Sequence, residues 1–187
     1  MKIHSLTALA VALATGSAIP AMAQDNAGSS GGFEPYVGVL GGLHDFDNEQ
    51  YKGSPPSGYR GWVLEGVAGA NYDFGGFFVG AEGSLAKGID KDIDWEYGVA
   101  GRAGIKAGKD SLFFAKVGYQ WTQFADSARP PVSDHAFDGM TYGFGTEVSL
   151  ADLGSAKDSS NVRLRAQVDT RGNFHSFRPM VGVVAKF

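Results

Sequence analysis

The sequence has no cysteine, and charged residues make up only 19% of its 187 positions. Without cysteine, a disulfide scaffold, a thiolate metal site and a cysteine nucleophile are excluded. No apolar run reaches the roughly 18 to 20 residues that a membrane-spanning helix needs, which excludes a helical membrane protein. The formal net charge is −4. A general nucleic-acid binder normally carries a basic patch, so no nucleic-acid partner is expected.

Glycine and aromatic residues are abundant instead. Glycine occupies 28 positions, and aromatic residues make up 12% of the chain. The glycines follow no collagen-like period, because most of them lie within alternating apolar stretches. A chain this apolar and aromatic is not disordered, and its length suits a single domain.

The start of the chain has the features of a secretory signal peptide. Lys2 supplies a positive charge, and residues 6–14 form a short apolar run. Small residues follow and end in Ala21-Met22-Ala23, which is an A-x-A cleavage pattern. The predicted division of the chain is a cleaved signal peptide, a flexible polar lead-in and one folded domain, at residues 1–23, 24–32 and 33–187.

Beyond the lead-in, segments of about ten to thirteen residues alternate between apolar and polar side chains, with turn-forming clusters between them. Each segment is long for a globular strand but suits a strand that is tilted across a membrane. There are eight such segments, and an even number suits a closed up-and-down barrel. The predicted strands are Glu34–His44, Trp62–Tyr72, Phe77–Ala86, Trp95–Lys106, Leu112–Thr122, Gly139–Leu150, Val162–Arg171 and Phe177–Phe187.

The connections alternate between short and long, which distinguishes a short-turn end of the barrel from a long-loop end. The short connections are residues 73–76 and 108–111, and the long polar ones are residues 45–61, 87–94 and 125–138. This alternation is typical of transmembrane β-barrels. Two connections fit less well, since residues 151–161 are many for the short-turn end and residues 172–176 are few for the long-loop end.

The charged residues of the strands share one face. In the seventh segment, Arg163, Arg165 and Asp169 have one parity, whereas Leu164 and Ala166 have the other. The same separation in the other segments leaves one face apolar and places eight bases and five acids on the opposite face. These residues are Glu65, Glu82, Glu96, Arg102, Lys106, Lys116, Glu147, Arg163, Arg165, Asp169, Arg171, Arg178 and Lys186.

The two faces distinguish a membrane barrel from a soluble one, which would expose its charged face. Glycines such as Gly69, Gly80 and Gly143 punctuate the charged face. Eight strands leave an interior just wide enough for side chains, and glycines make room for long ones. A Lys or Arg that faces lipid at mid-membrane costs about 2–4 kcal/mol. We therefore predict an apolar exterior and an ionic interior, with a soluble periplasmic barrel as the alternative.

Aromatic residues on the apolar face fall near the two ends of the predicted strands. Amphipathic rings concentrate at both membrane interfaces, so two aromatic girdles are predicted. The girdle at the long-loop end comprises Trp62, Trp95, Tyr97, Tyr119, Trp121 and Tyr142, and the girdle at the short-turn end comprises Tyr72, Phe77, Phe113 and Phe187.

Four short motifs carry a resemblance to a known family. They are Tyr36-Val37-Gly38, Val79-Gly80-Ala81-Glu82-Gly83, Arg102-Ala103-Gly104 and Gly143-Phe144-Gly145-Thr146-Glu147. In this order and phase, the chain resembles the eight-stranded Gram-negative outer-membrane barrels of the opacity-type porin-like group, which is related to the membrane domain of outer membrane protein A. The resemblance implies an all-β, eight-stranded antiparallel up-and-down transmembrane β-barrel in the outer membrane. It also implies that the short-turn end is periplasmic.

The last predicted strand ends on a phenylalanine, Phe187. This resembles the family's signal for the barrel assembly machinery. The chain departs from that signal at Ala185, where a second aromatic residue often lies. The resemblance implies that this machinery, the outer-membrane lipid and lipopolysaccharide are partners of the protein.

Three functions are compatible with this barrel. The first is a structural or surface-interaction role in the envelope, with the inward charges forming an ionic network that fills the lumen. The second is a narrow porin-like channel, weakly selective for anions because bases outnumber acids on the inward face. The third is a lipid A-modifying enzyme.

Catalytic residues are not evident. The mature chain contains only His44, His135 and His175. His175 and Ser176 are adjacent in a strand, so their side chains point to opposite faces and cannot converge as nucleophilic catalysis requires. We therefore expect no enzyme activity and no cofactor.

The long loops could bind external partners. Asp90, Asp92 and Asp94 alternate in one of them, but the EF-hand pattern fails because Trp95 occupies its glycine position. A solvated acidic loop without a metal is the expectation there. Residues 45–61 and 125–138 are the predicted sites for an external ligand, because exposed loops on a rigid scaffold often carry recognition.

Overall fold

The protein is described by a computed structural model over residues 32–46, 60–89, 93–108, 110–124, 136–154, 161–172 and 176–187. Within these ranges, no helix has the length and hydropathy to span a membrane. The eight strands are β1 (Phe33–Phe46), β2 (Arg60–Asp73), β3 (Phe77–Gly88), β4 (Ile93–Ala107), β5 (Ser111–Phe124), β6 (Ala136–Ser149), β7 (Val162–Arg171) and β8 (Ser176–Lys186). The predicted signal peptide and most of the lead-in lie outside these residues and stay predictions.

The eight strands form a closed barrel in chain order, and every neighbouring pair is antiparallel. The first and last strands close it, with Tyr36 opposite Lys186 and Gly42 opposite Met180. The backbone amide of Phe187 donates to the carbonyl of Pro35, so the closure extends to the terminal residue. The predicted eight-stranded antiparallel up-and-down barrel is confirmed.

Alternation of side chains identified the strands closely. Seven observed strands differ from their predicted boundaries, by one to three extra residues or by one residue fewer at an end. The eighth, β7 (Val162–Arg171), has the predicted boundaries. Ladder hydrogen bonds continue past the last alternating side chain, because the backbone can pair after the hydrophobic pattern has ended.

The short turns depend on a carboxylate and on glycines with positive φ. In the turn between β2 and β3, Gly75 has a φ of 96° and its amide donates to Asp73 Oδ1 at 2.8 Å. Gly108 has a φ of 69° in the turn between β4 and β5. This left-handed region is accessible to glycine without a steric penalty. The first part of the connection after β6 is a turn at residues 150–154.

Exposure alternates along the strands. In β7, Arg163, Arg165 and Gln167 are buried, whereas Leu164 is 42% exposed and its neighbour Val183 on β8 is 49% exposed. The apolar face is therefore the outside of the barrel, and the polar face is the inside. A soluble barrel would have the reverse arrangement.

Interior glycines make room for large polar side chains. A Cβ atom placed on Gly69 would lie 2.5 Å from the hydroxyl of Tyr36, and one on Gly143 would collide with the carboxylate of Asp169. The glycines on the inward face are therefore packed against the groups that fill the barrel.

An arginine on the exposed apolar band should be costly at mid-strand. For Val181→Arg, near the middle of β8, we expect the free energy of unfolding in lipid vesicles to fall by about 2–4 kcal/mol, because the charge faces hydrocarbon. Ile89→Arg is the control, since Ile89 is 70% exposed just beyond β3 and should cost only about 0–1 kcal/mol. Urea titration measures both variants. Equal losses would contradict a lipid-facing band.

Candidate functional site

The barrel interior collects the charged residues that the sequence assigns to the inward face. Nine of the thirteen are buried, namely Glu65, Glu82, Glu96, Arg102, Glu147, Arg163, Arg165, Asp169 and Arg178. The other four, Lys106, Lys116, Arg171 and Lys186, are half-buried. Buried charges are tolerated only when they are paired and hydrogen-bonded, so the pairing decides what this interior can do.

Two arginines and two glutamates form the centre of the interior. Arg165 Nη1 lies 2.6 Å from Glu82 Oε2, and its Nη2 lies 2.6 Å from Glu147 Oε1. Arg102 contacts the same two carboxylates at 3.3 and 2.8 Å. Its Nη1 also donates to the hydroxyl of Tyr36 at 2.8 Å, and that hydroxyl donates to Glu82 at 2.8 Å. Side chains from β1, β3, β4, β6 and β7 thus meet across the lumen, and we name these five residues the central cluster.

Aromatic faces surround the central cluster. The guanidinium carbon of Arg102 is 4.2 Å from the ring centroid of Phe114, 5.0 Å from that of Tyr36 and 5.4 Å from that of Phe78. Arg165 lies 5.2 Å from the Phe114 ring. A cation over an aromatic face gains about 0.5–2 kcal/mol, more when it is desolvated. The rings therefore fill space around the arginines and also stabilise their charge.

Ion pairs continue from the central cluster toward the long-loop end. Lys116 Nζ lies 3.5 Å from Glu82 and 3.1 Å from Asp169. Arg178 contacts Asp169 at 3.4 Å and Glu96 at 3.0 Å, and it also pairs with Glu65.

Arg171 lies at the end of this chain of contacts. Its Nη2 donates to Thr122 Oγ1 at 3.0 Å and to the carbonyl of Gln120 at 3.2 Å. The hydroxyl of Thr122 donates in turn to Glu96 at 3.1 Å. Most of the lumen length is therefore linked by hydrogen bonds.

A second branch extends toward the short-turn end. Arg163 Nη1 lies 3.3 Å from Glu147 and 2.7 Å from Glu34, and its Nη2 lies 2.8 Å from Asp110. Lys186 Nζ lies 2.5 Å from Asp110 and 3.5 Å from Glu34. Arg163 thus connects the central cluster with the short-turn mouth of the barrel.

Sequence reasoning missed three acids of this interior. Glu34 pairs with Arg163 and Lys186, Asp110 pairs with the same two bases, and Asp73 pairs with Lys106. Glu34 has the parity of Tyr36 and was detectable from the strand pattern. Asp73 and Asp110 lie at a strand end and in a turn, where alternation gives no direction. With them, the described interior has eight acids for eight bases, not an excess of bases.

The predicted girdle residues lie on the outside. Seven of the ten are exposed, namely Trp62, Tyr72, Phe77, Tyr97, Phe113, Tyr142 and Phe187, and Trp95, Tyr119 and Trp121 are half-buried. At the long-loop end, Trp121 stacks on Tyr97 with ring centroids 5.4 Å apart. At the short-turn end, sequence reasoning missed Phe74, which is exposed and stacks on Phe77 at 4.8 Å.

Most of the residues that were considered for catalysis or for metal binding lie outside the described residues. That is so for His135, His175, Asp90 and Asp92, and for the side chains of His44 and Asp94. Ser176 is buried, and its hydroxyl accepts the backbone amide of Arg171 at 3.0 Å. Among the residues that can be described, no three His, Asp or Glu side chains are grouped to hold a metal ion.

A closed eight-stranded barrel with an apolar exterior and a charged interior is the architecture of a transmembrane β-barrel. The family model of the outer membrane protein beta-barrel domain matches residues 9–182. The chain belongs to this family and is an outer-membrane protein of a Gram-negative bacterium.

The chain is similar to solved structures at low sequence identity. The crystal structure of Neisserial surface protein A aligns with a TM-score of 0.57 and 14% identity, over 85% of this chain and all of that one. Ail, the attachment invasion locus protein of Yersinia pestis, aligns with a TM-score of 0.47 and 16% identity, over 85% of this chain and 99% of that one. No curated protein gave a significant match.

Removing one shared carboxylate should destabilise the barrel. Glu147→Gln keeps the shape of the side chain but removes the charge that Arg102, Arg163 and Arg165 contact. Breaking a buried ion pair typically costs about 3–5 kcal/mol, and we expect a loss of this size in urea unfolding of the refolded barrel. Asp152→Asn is the control. Its carboxylate accepts from the backbone amides of Asp110 and Ser111 and from the Ser111 hydroxyl in an exposed turn. Asparagine keeps an acceptor oxygen at this place, so the variant should lose about 1 kcal/mol or less. Equal losses would show that the buried contacts carry no special weight.

Proposed function

We propose that this protein is a non-conducting and non-enzymatic barrel with a structural or surface-interaction role in the cell envelope. The observation that carries the proposal is the central cluster, in which Arg102 and Arg165 share Glu82 and Glu147 across the lumen. The four side chains are 0–2% exposed. Groups so fully desolvated leave little cross-section for water or solutes.

The cost of opening supports a closed lumen. A permeant ion would have to separate the pairs of the central cluster, and each separation leaves a buried charge without its partner. The aromatic faces of Tyr36, Phe78 and Phe114 occupy space around the same arginines. Eight strands provide an interior that side chains can fill, so no further plug is required.

The charge balance of the interior supports the same conclusion. The predicted weak anion preference rested on an excess of bases. Glu34, Asp73 and Asp110 remove this excess among the described residues, and the balanced lumen then offers no net field that would concentrate anions.

A narrow pore is the second candidate, and specific atoms favour it. Glu65 Oε1, Asp169 Oδ1 and Arg178 Nε are buried without a hydrogen-bond partner among the described protein groups. Water is the usual partner of such atoms. These three lie between the central cluster and the long-loop end, where a hydrated path would begin, and Arg102 Nε within the cluster is buried without a partner as well.

Lipid A modification is the weakest of the three functions. A serine hydrolase needs a serine, a histidine and a carboxylate in contact. Ser176 is buried, and its hydroxyl is engaged by the backbone of Arg171. This arrangement supports a structural role for Ser176.

The proposed partners follow from the location in the outer membrane. Lipid and lipopolysaccharide would contact the exposed apolar band and its aromatic ends. Phe187, which is 58% exposed directly after β8, is the proposed signal for the barrel assembly machinery. An external ligand at residues 45–61 and 125–138 stays a prediction, because most of those residues lie outside the described ranges.

Planar-bilayer recording tests the closed lumen. We expect no steady current from the refolded wild-type barrel. The double variant Arg102→Ala and Arg165→Ala should give a small cation-selective current, because Glu82 and Glu147 are left without these partners. The reciprocal variant, Glu82→Ala and Glu147→Ala, should give an anion-selective current.

Val181→Ala with Val183→Ala is the matched control, because both residues face outward, and it should stay silent. Heat-modifiable gel mobility verifies that each variant is folded. A steady, salt-dependent current through the wild-type barrel would overturn the proposal in favour of the narrow pore.

A further inference from the structure

An apolar groove with a volume of about 560 Å³ crosses the outer wall of the barrel. Its floor is a row of outward-facing residues from four adjacent strands, which the register places side by side: Thr146, Ala166, Val181 and Gly41. A Cβ atom on Gly41 would meet no atom within 4 Å. The floor is therefore open toward the membrane.

Aromatic rings bound the groove at both ends. Phe113, opposite Thr146, is 54% exposed near the short-turn end, and Trp62 is 57% exposed near the long-loop end. Strands of such barrels tilt by about 35–45°, so a row at right angles to them climbs the wall. The groove thus follows a diagonal path through the depth that acyl chains occupy.

A cation lies beyond the long-loop end of the groove. The floor row continues from Gly41 to Leu64 and then to Lys87 on β3. Lys87 is exposed, and its ammonium is 4.2 Å from the ring centroid of Trp95. Tryptophan rings mark the headgroup level of a membrane, and a lysine there attracts anionic headgroups. This charge complements a lipid phosphate.

We propose that the groove binds one acyl chain of a phosphorylated glycolipid of the external leaflet, with a phosphate of that lipid at Lys87. The inference takes the long-loop end as external. It rests on the proposed contact of lipopolysaccharide with the outer wall and assigns that contact to one place, but it does not depend on whether the lumen is closed.

Native mass spectrometry of the refolded mature chain with purified lipid A tests the proposal. We expect one lipid A molecule to be retained by the wild-type barrel. Gly41→Leu with Ala166→Phe fills the floor and should weaken retention by about tenfold or more, since each buried methylene contributes to acyl-chain affinity. The matched control is Gly101→Leu with Ala81→Phe, two exposed positions that face each other outside the groove, and it should retain lipid A like the wild type.

The headgroup contact has a separate test. Lys87→Gln should weaken retention of lipid A by about fivefold and leave dephosphorylated lipid A unaffected. Heat-modifiable mobility verifies folding in every case. The proposal is overturned if the filled groove retains lipid A as well as the wild type does, or if both double variants lose it equally. Equal retention of phosphatidylglycerol, or a dimer that the groove substitutions abolish, would assign the groove to another occupant.

Discussion

The shared ion pairs of Arg102 and Arg165 with Glu82 and Glu147 are the interaction on which the rest of the interior depends. Each glutamate is contacted by both arginines, and Glu147 is also contacted by Arg163. Buried charges are unfavourable unless every one of them is compensated. The further pairs begin at the same two carboxylates, since Lys116 also contacts Glu82 and Arg163 also contacts Glu147.

The wall of the barrel and its interior constrain each other. An apolar exterior leaves the inward face as the only place where long charged side chains can be buried and paired. Glycines such as Gly69 and Gly143 provide the space for Tyr36 and Asp169. The high glycine content of the sequence is therefore a consequence of filling a narrow barrel with large polar groups.

The fold could be predicted from the sequence because alternation is a local property. A two-residue period identified β7 at its observed boundaries, and the parity of Arg163 and Arg165 assigned their face. The partners could not be predicted, because Arg163 and Glu34 are 129 residues apart and meet only through the register of the closed barrel. The inward position of Asp110 could not be predicted because this residue lies in a turn, where the alternation of side chains does not indicate a face.

Exchange of the guanidinium protons of Arg102 and Arg165, measured by NMR on the refolded barrel, tests the closed lumen most directly. Protons held by buried carboxylates exchange slowly with water, whereas those in a hydrated channel exchange fast. Our account predicts signals for both arginines that are protected relative to the intrinsic exchange rate of a free arginine side chain at the same pH. Rapid exchange at Arg102 and Arg165 in a folded barrel would contradict it.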